Sequence, residues 1–329
     1  MAARSVEKRK EKEPALSGPR FLIVRFSAIG DCVMAAWAVT AIRVKYPDAY
    51  ICWAVEERCA AVVDRSNLVD EVVEIPRQRW RRRRAPVRNL REQIAICDRL
   101  RRKRFDFGFD LQGHLKTALC LRFAFPKRRV SIGGTDAFSR LMNPAPGKMP
   151  EAVHWVDWHL RTLNTCGEFK TPLRPIMPAA PARRPQLVTI STSAGHPTKV
   201  YPAEKWRTVA MQLQGDGYRI AFLGAPGDPK VQLDGADDMV GKLSLAESMA
   251  MVAQSELHLA GDTGTGHMAA AYGVPVVSVF GHMDPIRYRP YTDRGVVLRI
   301  GTEAANVPEQ DVLEAARELA GRCRASLSD

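Results

Sequence analysis

The feature that most limits what this chain can fold into is an alternation of short apolar segments with helix-patterned ones, run through twice. In the first series Phe21-Leu22-Ile23-Val24-Arg25-Phe26 is a compact apolar strand. The turn Ser27-Ala28-Ile29-Gly30-Asp31 follows it, and a helical stretch then runs from about Cys32 to Lys45. Further strands are expected at Tyr50–Val55, Val69–Ile75 and Phe105–Asp110. The last leads through Leu111-Gln112-Gly113-His114 into a helix from Leu115 to about Phe123. Such alternation predicts an α/β chain with parallel sheets covered on both faces.

The series is interrupted between Thr171 and Pro185 by five prolines, at 172, 175, 178, 181 and 185, with neither helical nor strand period. It restarts with strand Leu187–Ser191, helix Ala203 to about Gln214 and strand Tyr218–Leu223. The loop Gly224-Ala225-Pro226-Gly227-Asp228 and a helix Leu245–Gln254 come next, and an amphipathic helix from Val307 to about Cys323 closes the chain. The expected organisation is therefore a charged tail over 1–19, a Rossmann-like domain over 20–170, an extended linker over 171–186 and a second Rossmann-like domain over 187–329. Ligands of such a pair bind in the cleft between the domains.

A polar run in the second series, Gly261-Asp262-Thr263-Gly264-Thr265-Gly266-His267, lies between strand Glu256–Ala260 and helix Met268–Tyr272. Free backbone N–H groups at a strand-to-helix junction favour anions such as phosphates. The glycines allow close backbone approach, and Asp262, Thr263 and His267 bring donors and acceptors. The same residues also suit a plain glycine-rich turn capped by Asp262 or Thr263.

Charge narrows the partners. Lys and Arg outnumber Asp and Glu by 49 to 36, for a formal net charge of +13, which predicts attraction to polyanions or phosphorylated substrates. Between Arg77 and Arg104 stand thirteen Arg or Lys against two acids, Glu92 and Asp98. Trp80 lies inside this run, which favours an anion-binding surface over a merely solvated face. Seven scattered cysteines without a CxxC pair argue against a disulfide framework or a zinc site and fit a reducing cytosol. No apolar stretch is long enough to span a bilayer, and a cytoplasmic location is expected.

Five landmarks in order identify a resemblance. They are Ile23-Val24-Arg25-Phe26-Ser27-Ala28-Ile29-Gly30-Asp31; Phe109-Asp110-Leu111-Gln112-Gly113-His114-Leu115-Lys116; Lys199-Val200-Tyr201-Pro202-Ala203-Glu204-Lys205-Trp206; Gly224-Ala225-Pro226; and Asp262 to His267. Together they resemble glycosyltransferase family 9, the ADP-heptose:lipopolysaccharide heptosyltransferases, from about Arg20 to the C-terminus. Tyr201 replaces the family's usual Trp.

The resemblance implies a GT-B fold whose C-terminal domain holds the nucleotide sugar, and an inverting reaction that needs neither metal nor cofactor. By family match Asp31 is the base, although the residue type alone fits a helix N-cap equally well. Lys199 matches the phosphate-contacting lysine. Asp262, Thr263, Gly264 and His267 would bind diphosphate and sugar, with Ser193 on the phosphates, Asp228 at the ribose and Leu243 on the adenine. Gln112 and the basic residues Arg77, Arg79, Arg81 and Arg82 fall on the acceptor side, where the arginines would select an anionic glycolipid and hold the enzyme at an anionic membrane. The implied donor is ADP-heptose. The rival expectations are a sugar-nucleotide epimerase of the same architecture and, ranked low, a basic nucleic-acid-binding protein, in which Arg77 to Arg104 grips nucleic acid.

Overall fold

The computed structural model describes residues 18–325 apart from 65, 84 and 135, so the tail expected over 1–19 lies almost wholly outside the described residues. It contains two parallel sheets. The first is built from β1 (Arg20–Val24), β2 (Tyr50–Glu56), β3 (Glu71–Ile75), β4 (Phe107–Asp110) and β5 (Arg128–Ser131), in the order β3-β2-β1-β4-β5. The second comprises β6 (Leu187–Ser191), β7 (Arg219–Leu223), β8 (Asp237–Asp238), β9 (Leu257–Gly261), β10 (Val276–Phe280) and β11 (Gly295–Arg299), in the order β11-β10-β9-β6-β7-β8. Counted from its own first strand, the second sheet has the strand order of a dinucleotide-binding fold, and the first has the same order without the sixth strand.

The helices are α1 (Ile29–Lys45), α2 (Arg77–Arg83), α3 (Pro86–Arg102), α4 (Leu115–Ala124), α5 (Ala137–Met142), α6 (Trp155–Asn164), α7 (Ala203–Gly215), α8 (Leu245–Gln254), α9 (Gly264–Tyr272), α10 (Pro285–Tyr288) and α11 (Glu309–Ala325). Segment 171–186 carries no helix or strand. It is nonetheless tied down: the Ile176 N–H donates to Thr40 Oγ1 at 2.8 Å and the Arg184 N–H to the Gln254 carbonyl at 2.7 Å. Among the described residues no helix is long and apolar enough to cross a membrane.

Several boundaries differ from expectation for local reasons. α1 starts at Ile29, three residues before Cys32, because the Ala28 carbonyl already accepts from the Cys32 N–H at 2.9 Å. α9 starts at Gly264, so half of the polar run is the helix's first turn. Glycine propensity argues against helix there, but β9 delivers the chain directly into the turn. Strands β5, β8 and β11 were not foreseen: β5 is charged at its start, β8 has two residues, and β11 is a half-buried edge.

α1 shows how the halves meet. Every residue from Cys32 to Ile42 is buried, and a helix apolar all round must be covered on every side. It packs against α6 on one flank and α9 on another. Phe21, Ile23, Trp37 and Trp53 of the N-terminal half therefore share one apolar cluster with Met249, Val252, Met268 and Val276 of the C-terminal half. Trp37 and Tyr291 meet edge-to-face at 5.6 Å across the same boundary.

The switch between β1 and β4 in the first sheet is held by two side chains. The Gln112 side-chain carbonyl accepts from the N–H of Phe26 at 2.8 Å and of Ser27 at 3.3 Å, fixing the loop that leads to Asp31. Asp110, fully buried, accepts through Oδ1 from the N–H of Gln112 at 3.0 Å and of Gly113 at 2.9 Å. Burial pushes the Asp110 carboxyl up to about 6, with those N–H groups pulling partway back. An acid whose folded pKa is raised weakens the fold above that pKa, and the penalty vanishes as pH falls below its ordinary value of 3.8. Asp110→Asn keeps the accepting oxygen and removes the charge. Denaturant titrations at several pH values are expected to shift in the variant's favour, relative to the parent, by about 3 kcal/mol between roughly pH 4 and pH 8. A stability difference that does not change with pH would contradict this account.

Candidate functional site

The strand order reverses between β1 and β4 in one sheet and between β6 and β9 in the other, and open α/β sheets bind ligands at such points, beyond the carboxyl ends of the strands. The two switch points face each other. Contact between them runs through two glycines near the N-termini of α1 and α9. A Cβ placed on Gly30 would stand 3.2 Å from Gly264 Cα and 2.7 Å from His267 Cδ2; one on Gly264 would stand 3.2 Å from the Gly30 nitrogen. Neither glycine has room for a side chain: His267 and the Gly264 backbone crowd Gly30, and Ile29 and the Gly30 backbone crowd Gly264.

On the α1 side stands Asp31. Its Oδ2 accepts from the Ala28 N–H at 3.0 Å and pairs with Arg25 Nη2 at 2.8 Å. Asp31 thus caps the first turn of α1 from the third helical position while its side chain stays 31% exposed. Burial works against its charge, but Arg25 and the Ala28 N–H outweigh it and hold the carboxyl below the usual carboxylate range. Arg25 is buried at the end of β1 and also donates to the Leu111 carbonyl. It escaped the sequence reading because it looks like a single charge inside an apolar strand; one arginine six residues before the motif's aspartate was the available signal.

On the other side Lys199 Nζ meets Asp262 Oδ2 at 2.6 Å, both side chains largely buried. The segment carrying Lys199 is fastened to the end of β10: Thr198 Oγ1 bonds to His282 Nδ1 at 2.5 Å and to His196 Nδ1 at 2.9 Å. His267 is buried one turn into α9, and its Nδ1 has no hydrogen-bond partner. Burial pushes its pKa down and Lys199 adds to that, against the opposing pull of Asp262 and Asp31, so the ring is neutral. His267 therefore lies in the combined field of Asp31, Asp262 and Lys199. Thr263 is the N-cap residue of α9, but its hydroxyl makes no cap bond and instead meets Thr265 Oγ1 at 3.1 Å. The first N–H groups of α9 thus face the crevice without a side-chain cap, beside a lysine, and that arrangement suits a phosphate.

Other candidates lie farther out. The Ser193 hydroxyl donates to Asp228 Oδ2 at 2.5 Å, which also accepts from the Ala225 N–H at 2.6 Å, so these two residues brace one another at the mouth of β6 and β7. Leu243 packs, half-buried, on the shared apolar cluster. Arg77 pairs with Glu56, whose own N–H donates to the Phe26 carbonyl at 3.0 Å, so Arg77 is close to the Asp31 loop. Arg79 instead reaches Glu92 at 3.3 Å, and Arg82 is exposed on α2. The basic run is helical in α2 and α3, and much of it is internally paired: Arg83 with Glu92 at 2.8 Å, Arg99 with Glu71 at 2.7 Å, Arg102 with Asp98 at 2.6 Å. His154 Nε2 bonds to the Arg289 carbonyl and His159 is buried. Among the described residues no three His, Cys, Asp or Glu side chains converge as a metal-binding group.

Comparison with known proteins places the chain in a family. The profile of glycosyltransferase family 9 (heptosyltransferase) matches residues 94–316, well over half the chain. Lipopolysaccharide heptosyltransferase 1 of Escherichia coli K12 is 27% identical over 318 residues, covering 90% of this chain and 98% of that one. Its counterpart in Pseudomonas aeruginosa is 25% identical over 289 residues, covering 81% and 79%. The structure of E. coli heptosyltransferase WaaC with ADP superposes with a TM-score of 0.78 at 22% identity, over 91% of this chain and 99% of that one. The same enzyme has also been solved with ADP-2-deoxy-2-fluoro heptose. The chain belongs to glycosyltransferase family 9, and its fold is GT-B.

The glycine contact can be tested directly. In Gly30→Ala the new methyl meets His267 and the α9 backbone, so the two helix ends must part. A loss of about 1–3 kcal/mol in stability is expected by denaturant titration. Gly195→Ala, whose methyl meets nothing within 4 Å, is expected to stay within about 0.5 kcal/mol of the parent. Equal effects of the two substitutions would show that the contact does not constrain the fold.

Proposed function

We propose that this family 9 glycosyltransferase is an inverting, metal-independent heptosyltransferase that uses ADP-heptose and a lipid-linked, anionic saccharide of the lipopolysaccharide core. The observation that carries this reading is the opposition, across one crevice, of a carboxylate held ionised by Arg25 and an uncapped helix N-terminus flanked by Lys199. The names of the relatives and the ADP ligands of the E. coli enzyme support the choice of sugar and nucleotide.

Glycosyl transfer needs a base at the acceptor and positive potential at the departing diphosphate. In this reading Asp31 takes the proton of the acceptor hydroxyl as its oxygen attacks the anomeric carbon. The bond from that carbon to the β-phosphate oxygen breaks, its electron pair leaves with ADP, and configuration inverts at the carbon. Lys199 and the first N–H groups of α9 receive the growing charge on the diphosphate. Asp262 orients Lys199, and Thr263, Gly264 and neutral His267 contact phosphate and sugar. Ser193 and Asp228 fall on the nucleotide side with Leu243. Gln112 acts through the Phe26 loop, and Arg77 and Arg81 attract the anionic acceptor. Arg79, engaged with Glu92, and Arg82 extend the basic surface towards the inner, cytoplasmic face of an anionic membrane. The same reading sets the domain limits at 20–170 and 187–329, about a linker at 171–186.

Two experiments test it. ADP is expected to raise the melting temperature more than UDP, GDP or TDP, and the shift is expected to disappear in Lys199→Ala; equal shifts from all four would remove the ADP assignment. Asp31→Asn is expected to lower transfer by about 10²–10⁴-fold while leaving the ADP shift intact. Because Arg25 holds the Asp31 pKa low, the base stays ionised down through mildly acid pH. Rates are expected to fall only below the ordinary carboxylate range, and Arg25→Met is expected to move that acid limb to higher pH. An acid limb in the same place for parent and Arg25→Met would argue that Asp31 is not the titrating base.

A further inference from the structure

Outside the interdomain crevice, a groove of about 800 Å³ lies between α3 and α4, a volume suited to a small organic ligand. Its walls are apolar and exposed to water. Leu90 and Ile94 of α3 are 57% and 59% exposed, and Phe123 and Phe125 at the end of α4 are 51% and 50% exposed. Val87, also on α3, continues the same stripe at 64%. Contiguous exposure of this kind marks a surface that is covered in use.

The groove is polarised. Arg77, Arg81 and Lys116 line it together with Phe26, whereas Arg101, which also lines it near Asp98, lies over the Phe125 ring at 4.7 Å. Partial burial and the nearby charges of Arg77 and Arg81 depress the Lys116 pKa, and Glu56 pulls partway back. Lys116 is the second residue of α4 and Phe123 the ninth, so the cationic and apolar ends are about 10 Å apart along the helix. Phe26 begins the loop that carries Asp31, so the cationic end is the one nearer the candidate base.

We propose that this groove seats one fatty-acyl chain of a phosphorylated lipid, its phosphate against Arg77, Arg81 and Lys116 and its chain over Leu90, Ile94 and Phe123. The occupant follows from charge complementarity joined to an apolar trough: a free anion leaves the trough wet, and an uncharged chain leaves Arg81 and Lys116 without a counter-charge, Arg77 being already paired with Glu56. The inference rests on the proposed function only in taking that lipid to be the hydrophobic end of the acceptor, with its saccharide directed towards Asp31.

The test uses the full chain and monomeric lysophosphatidic acids of increasing chain length, each below its aggregation concentration, with binding measured by calorimetry. Affinity is expected to rise by roughly fourfold for each methylene that becomes buried, then to level off when the groove is full. Ile94→Asp, at an exposed position, is expected to weaken the long-chain ligand at least about tenfold and to flatten the chain-length dependence. Leu90→Asp serves as a second variant of the same kind, and parent-like melting of either shows that the fold is intact. Lys116→Ala is expected to narrow the preference for lysophosphatidic acid over the uncharged monoacylglycerol of equal length. Affinity independent of chain length, or unchanged in both aspartate variants, would overturn the proposal in favour of a phosphate-binding surface. So would binding seen only on phosphatidylglycerol vesicles and never with monomer, which would mean adsorption to a membrane. None of these readouts uses donor or transfer. Failure of the glycosyltransferase reading would show instead as no ADP stabilisation and no transfer to a deacylated acceptor.

Discussion

The contact between Gly30 and Gly264 is the constraint on which the rest of the molecule depends. Two helix N-termini, from opposite halves of the chain, approach until backbone touches backbone, with a Cβ-to-Cα allowance of 3.2 Å on one side. Helix ends of the same polarity repel weakly through their dipoles, so the approach has to be held by something else. Burial of α1 against α6 and α9 supplies it, since each fully buried side chain of the size of valine, leucine or methionine contributes about 1.5–3 kcal/mol. Apolar packing on the flanks thus brings together two positive helix ends that would not associate by themselves. The result is a concentrated electropositive point between Asp31 and Lys199.

Both acidic groups at that point are already partnered. Asp31 is held by Arg25 and Asp262 by Lys199. Pre-pairing fixes the direction of each carboxylate, and Arg25 keeps Asp31 ionised in a poorly solvated crevice. His267 between them is pushed towards the neutral form, so its unpartnered Nδ1 has the polarity of a neutral imidazole. The charge pattern is alternating and local, which suits a ligand whose own charges are closely spaced, such as a diphosphate joined to a sugar.

Much of this was legible in the sequence where periodicity carried it. The apolar runs at Phe21 and Leu187 gave β1 and β6, and the proline cluster separated two series of the same kind. Ordered motifs located Asp31, Lys199 and the Asp262 to His267 run. Legibility failed where tertiary context overrides local preference: Gly264-Thr265-Gly266 became helix because β9 delivers the chain into it, and β5 forms from a segment opening with two arginines because β4 offers it a free edge. Partnerships across the chain were invisible for the same reason. Nothing near Gln112 in sequence says that its side chain holds the Phe26 loop, and nothing near Arg25 says that its guanidinium reaches Asp31. The basic run has the composition of a charged surface, and its charges are divided between ion pairs to Glu56, Glu71 and Glu92 and the lining of a groove.

The all-round burial of α1 bears on how the chain can come apart. Linked domains commonly meet through modest, polar interfaces and melt separately. Here the first helix after the first strand is a core element for both halves, so loss of either half strips the other of a wall. Thermal denaturation should then proceed as one cooperative event despite two sheets, and each half expressed alone should expose the α1 or α9 face and aggregate. Recombination between relatives would face the same restriction: an exchange at the proline-rich segment succeeds only when the incoming half brings an α9 shaped for the resident α1.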